Sequence, residues 1–113
     1  MKKKRKGTLR RHDAVMGEIL RADPKLAIEV LNETLAGGTP EEIAVAIRHV
    51  ASAFGGLPTI ARRAGVNVTQ AYRSLSRQGN PSFRTVHAVL RAAGYEFAVQ
   101  RRRDRAHPAP RRS

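Results

Sequence analysis

A chain of 113 residues holds one modest hydrophobic core and is too short for two. It contains no cysteine, which removes disulfides and thiolate metal sites and suits a reducing cytoplasm; no apolar run reads as a membrane span or a signal-peptide core. The net charge of +13, from 22 Lys and Arg against 9 Asp and Glu, points to a polyanionic partner whose grip weakens as salt rises.

The N-terminal residues 1–22 carry eight basic and two acidic groups and read as a basic tail, unstructured to about residue 11, with a short helix over His12 to Arg21. That helix would present Val15, Met16, Ile19 and Leu20 on one face. The run KKKRK at residues 2–6 matches a nuclear-import pattern, as any lysine-rich tail does. Asp23 and Pro24 then supply a cap and an N1 proline for a helix through Ala36, with Ala27, Val30, Leu31 and Leu35 as its stripe. Gly37 and Gly38 end it. Thr39, Pro40 and Glu42 form a capping box with an N1 proline, which opens a core helix over residues 40–54 on Ile43, Ile47, Val50, Ala51 and Phe54. Residues 23–56 hold two basic and five acidic groups, while 57–99 hold six and one, so the folded middle divides into an acidic and a basic half.

The stretch from Leu57 to Leu75, LPTIARRAGVNVTQAYRSL, reads as two short helices joined at Gly65, a helix-turn-helix. Ile60, Ala61 and Ala64 give the first helix a buried face, with Ala61 small enough for a close crossing and Arg62 and Arg63 turned away. Gly65 takes the left-handed position, Val66 tucks into the core, and Asn67 caps the second helix, expected over 67–78. Ala71, Ser74 and Leu75 face inward with Tyr72 at the edge, which leaves Val68, Thr69, Gln70 and Arg73 outside. Gln pairs with adenine, Arg with guanine, and Thr and Val methyls meet thymine in a major groove. The alternative is a plain helical hairpin whose exposed face is merely polar.

Gly79, Asn80 and Pro81 break the chain. Ser82 then caps a last helix to about Ala93, burying Phe83, Val86, Val89 and Leu90. After Gly94 the alternation of Tyr95, Phe97 and Val99 with Glu96 and Ala98 suggests a short strand. Such a strand needs a partner: its twin across a homodimer two-fold, another protein, or an extended N-terminal piece; otherwise the aromatics simply pack on the core. Residues 100–113, six basic and one acidic, read as a disordered basic tail.

Across residues 23–99, the order of a DP-initiated helix with LNETL, a helix ending in GG, LPTIARRAGVNVTQAYRSLS, GNPSF and a last helix closed by Gly resembles the probable addiction module antidote family, HigA-like antitoxins with an Xre/Cro-type helix-turn-helix. The resemblance implies a homodimer on double-stranded operator DNA, autorepression, and neutralisation of a RelE/ParE-like toxin. It places Asn67, Val68, Thr69, Gln70, Tyr72 and Arg73 on the base-reading helix, and Ser82 and Arg84 at a helix start beside the DNA backbone. Asn67 stands where the family more often has Ser, and the basic tails at both ends are additions to the family pattern.

An enzyme is not expected. His12, His49, His87 and His107 lack metal-ligand spacing, Glu41 and Glu42 are explained as helix-start acids, and neither a phosphate-binding loop nor a nucleophile motif is present, so no cofactor or metal is implied. His49 and His87 fall in helices, as edge-of-core or surface groups. The fold expected is all-α, a bundle of about five helices with a helix-turn-helix, a short C-terminal strand and disordered tails. The function expected is a sequence-specific DNA-binding transcriptional regulator of antitoxin type, cytoplasmic and associated with the nucleoid, with Arg62, Arg63, Arg77, Arg84 and the tails on phosphates. The alternatives are a toxin-occluding protein working through its acidic helices, a stand-alone regulator, and a nonspecific DNA- or RNA-binding protein that relies on its tails.

Overall fold

Proline and polar caps start the helices where the sequence places them. The computed structural model describes residues 2–76 and 80–102, with side chains from Arg11 onward. Within these residues the chain is all-helical: α1 (Lys2–Ala22), α2 (Pro24–Gly37), α3 (Pro40–Ala53), α4 (Leu57–Ala64), α5 (Val68–Ser74) and α6 (Phe83–Ala92). Asp23 accepts from the Leu26 amide at 3.1 Å to open α2. Thr39 and Glu42 close a reciprocal box on α3, the Glu42 amide donating to Thr39 Oγ1 at 3.1 Å and the Thr39 amide to Glu42 Oε1 at 3.0 Å.

Helix α1 is longer than the His12 to Arg21 segment expected. Lys and Arg are good helix formers, and Gly7 alone in that stretch disfavours the helix. Its apolar face also differs: Leu20 is buried and Met16 half-buried, but Val15 and Ile19 are exposed. What seats α1 is a glycine. A Cβ on Gly17 would stand 2.8 Å from the Ala53 amide nitrogen, so the backbones of α1 and the end of α3 touch there. Arg21 Nε donates to the Ala53 carbonyl at 3.1 Å and closes that end of α3. Asp13 meets Arg48 and His49, and Gly17 meets Ser52 and Ala53, so α1 and α3 run in the same sense, with α2 returning between them.

Gly55 and Gly56, at φ of 106° and 97°, turn the chain between α3 and α4, which meet at 92°. One core then spans both sides of that corner: Leu20, Leu31, Ile47, Val50, Ile60, Leu75, Val89 and Leu90 belong to it, filled in by Ala27, Ala44, Ala51, Ala61 and Ala71. Small residues at the crossings let helices approach closely, which suits a chain only 4% aromatic.

Helix α6 buries Val86, Val89 and Leu90 as expected, but Phe83 is 68% exposed. Its position in the first turn carries it past the core, and it stacks on His87 instead, with ring centroids 5.4 Å apart. Tyr95 to Gln100 follows without regular secondary structure, and no strand occurs among the described residues. The expected C-terminal tail lies largely outside them, at 103–113.

Candidate nucleic-acid interface

Two adjoining caps hold the α4–α5 corner. At the end of α4 the Gly65 amide donates to the Arg62 carbonyl at 3.1 Å, and the Val66 amide to the Ala61 carbonyl at 3.0 Å. Together they form a Schellman closure around a left-handed Gly65 at φ 76° and ψ 23°. At the start of α5, Asn67 Oδ1 accepts from the Gln70 amide at 3.0 Å. Both ends of the turn are thus fixed by hydrogen bonds that involve no distant residue.

Ala71 and Leu75 anchor α5 to the core, with Leu75 fully enclosed. Thr69, Gln70 and Arg73 are exposed, at positions i, i+1 and i+4 of one helical face. Asn67 is exposed as well, though its oxygen is occupied by the cap, and Tyr72 is 48% exposed at the edge. Val68 departs from the expected outward position. It is half-buried against the core, because Val68, Ala71 and Leu75 share one stripe at i, i+3 and i+7. Ser74 is half-buried as expected, and its Oγ finds no partner among the described residues.

Arg62 and Arg63 are exposed in the last turn of α4, a helix in contact with both α5 and α6. Arg84 is exposed in the first turn of α6. The Ser82 hydroxyl is occupied there, accepting from the Thr85 amide at 3.1 Å and donating to Thr85 Oγ1 at 3.1 Å. Arg77 lies outside the described residues.

One connection to this surface is absent from any reading of the sequence. Arg48, on α3, donates through Nε to Asp13 Oδ2 at 3.0 Å and through Nη1 to the Leu75 carbonyl at 2.8 Å. A single guanidinium therefore ties α1 to the C-terminal end of α5 and satisfies a carbonyl the helix leaves open. His49, only 8% exposed, places Nε2 3.2 Å from Asp13 Oδ1, and its ring meets His12 edge-on. Neither of those two atoms makes a hydrogen bond of full geometry among the described residues, so the contact is a close approach of imidazole and carboxylate. Burial pushes the Asp13 carboxyl up, but the His49 ring and the Arg48 guanidinium beside it outweigh this and hold the group below its ordinary value. Asp13 and Arg48 lie 35 residues apart, and no spacing rule connects them.

Helices α1, α2 and α3 enclose a groove of about 240 Å³, lined by Met16, Leu20, Val30, Leu31 and Val45, with His49 at its wall. Among the described residues no three His, Asp or Glu side chains are placed so that they could hold a metal ion.

The fold and this surface define a small helical protein with a rigid, basic two-helix corner. Residues 10–101 match the family described as "probable addiction module antidote protein", and the chain belongs to that family. A relative in Haemophilus influenzae, described as an uncharacterized protein, is 40% identical over 73 residues, which is 65% of this chain and 74% of that one. No solved structure matches the chain. The family places the protein on the antidote side of a toxin–antitoxin system, with a cognate toxin as partner.

Proposed function

We propose that this antitoxin is a sequence-specific DNA-binding repressor of its own operon, HigA-like with an Xre/Cro-type helix-turn-helix, and that it acts as a homodimer. The observation that carries the reading is the exposed Thr69, Gln70 and Arg73 face on a helix whose other side is locked by Ala71 and Leu75. Side chains on a rigid helix read bases because their positions are fixed before DNA arrives. Arg62, Arg63 and Arg84 supply phosphate contacts around that helix, setting affinity, while Thr69, Gln70 and Arg73 set sequence choice. Tyr72 and Asn67 flank them, and Val68 supports the helix from beneath.

Replacing Arg73 by Ala is expected to cost about 1–3 kcal/mol on the operator upstream of its own gene and far less on random DNA. Fluorescence anisotropy on both duplexes across a salt series measures this. Equal losses on the two would end the base-reading role of Arg73.

The toxin, RelE/ParE-like in this reading, is assigned to the opposite half. Glu29, Glu33 and Glu41 are exposed there, and Glu42 stands in the wall of the groove of α1 to α3. A basic, RNA-cleaving partner is complementary to that half and repelled by the other. Co-expression with the neighbouring reading frame followed by co-purification tests it, and Glu29→Lys with Glu33→Lys should weaken capture while leaving operator binding unchanged.

A further inference from the structure

We propose that Arg48, a residue of α3, sets how selectively α5 reads DNA sequence, and that Asp13 on α1 shares this role by holding Arg48 in place. Both act as positioning residues for Arg73, and the proposal rests on the base-reading role given to Arg73 above.

The two ends of α5 are held in different ways. Its 7 residues make about two turns, too few for a helix to persist without support. It packs chiefly against α4, and Ala71 and Leu75 seat it on the core. The first turn is fixed locally, by the Asn67 cap and the Gly65 closure. At the other end the Arg73 carbonyl accepts from Ser76 Oγ at 3.0 Å, again a local bond, while the Leu75 carbonyl accepts from Arg48 Nη1 at 2.8 Å. Among the described residues this last is the one hydrogen bond that reaches α5 from a distant part of the chain. It also sets a cation at the negative end of the helix dipole.

Arg73 leaves the same turn two residues before that carbonyl. A hydrogen bond to a base edge holds over about 2.7–3.2 Å, so a shift of about 1 Å in this turn forfeits it, whereas a flexible arginine on a phosphate tolerates it. Arg48 can hold the turn because it is itself held. Nε donates to Asp13 Oδ2 at 3.0 Å while Nη1 holds α5, and Asp13 Oδ1 lies 3.2 Å from Nε2 of the buried His49. The side chains of Arg48 and Asp13 are 15% and 18% exposed, so water competes for them less than on an open surface. One planar fork thus spans partners 27 and 35 residues away. Lysine carries all its donors on one nitrogen and cannot occupy both positions. Helix α1, which supplies no residue of the α5 face, in this way governs the turn that carries Arg73.

The test is the ratio of operator to random-duplex affinity in the full-length protein, by fluorescence anisotropy across a salt series. A variant that is merely less stable lowers both affinities by its folded fraction and leaves their ratio alone. Arg48→Met keeps the apolar stem and removes every donor; it is expected to lower the ratio about tenfold, and Arg48→Lys about threefold, with the parent's salt slope in both. Added to Arg73→Ala, Arg48→Met should lower the ratio no further, because the two act through one contact. Amide exchange in Arg48→Met should quicken at Leu75 and Ser76 and keep the parent rate at Gln70, whose amide the Asn67 cap holds. Val89→Ala, at a fully buried site on α6, is the stability control and should keep the parent ratio. If circular dichroism shows Arg48→Met unfolded, Arg48→Lys and Asp13→Asn carry the test, each lowering the ratio about threefold. An unchanged ratio in the folded variants, while Arg73→Ala lowers it, would overturn the positioning role and leave the base-reading role standing. Equal losses on both duplexes with a shallower salt slope would make Arg48 a phosphate contact and also overturn it. An unchanged ratio in Arg73→Ala itself would overturn the base-reading role and this inference with it.

Discussion

From Lys2 to Ala53 the helices are long and α1 is held against α3 by residues distant in sequence, whereas from Leu57 to Ala92 they are short and, apart from the Arg48 bond to the Leu75 carbonyl, their ends are closed by neighbours. In the first region Asp13 needs Arg48, Gly17 needs the backbone at Ala53, and Arg21 needs the Ala53 carbonyl. In the second, Gly65 and Asn67 fix a turn by bonds spanning three to five residues, and Ser82 does the same for α6. The turn that presents the exposed α5 face is thus closed locally, whereas the seating of α1 on α3 depends on long-range contacts. Charge follows the same division, acidic in residues 23–56 and basic in 57–99.

The contrast can be broken most forcefully at Ile60, which is fully buried in the basic half. Ile60→Ala should cost about 2–5 kcal/mol in urea denaturation, and a single transition there shows that both regions share one cooperative core. Gly17→Val attacks the scaffold instead. Its new side chain meets backbone at 2.8 Å, and about 1–3 kcal/mol should be lost, with faster amide exchange concentrated in α1.

Asp13→Asn weakens the long-range tie without adding bulk, by about 1–2 kcal/mol at neutral pH. Because the folded carboxyl titrates below its ordinary value of 3.8, its contribution is complete above that value and is lost as pH falls through the folded one. The gap between parent and Asp13→Asn should therefore close in acid below about pH 4 in paired denaturation series. Gly65→Ala is the mildest. No atom lies within 4 Å of the added methyl, so only the left-handed backbone resists it, at about 1 kcal/mol. A larger loss would mean that the corner also depends on distant contacts.

Much of this division was legible in the sequence, because local closures announce themselves locally. The caps at Asp23, Thr39, Asn67 and Ser82, the glycine at 65 and the inward Ala71 and Leu75 all stand where their spacing places them. Val68 was misplaced because its residue type suits a thymine methyl, whereas its spacing to Ala71 and Leu75 puts it on the buried stripe. Phe83 was misplaced for the opposite reason: periodicity continues past the point where the core beneath it stops. The Asp13, Arg48 and Leu75 connection left no pattern to read. Gly17 did leave one, since a lone glycine inside a helical pattern often marks a close approach, but its partner lies 36 residues on.

The Arg48 bridge has a practical consequence for anyone trimming this chain. Removing residues 1–22 to strip away N-terminal charge would also remove Asp13, Gly17 and Leu20, and would leave a half-buried guanidinium holding the end of α5 without its counter-ion. Weak DNA binding by such a fragment would report a damaged scaffold, not a missing tail. A deletion that ends before residue 11 separates the two, because it discards six of the eight N-terminal Lys and Arg residues, all but Arg11 and Arg21, and keeps the carboxylate that anchors Arg48.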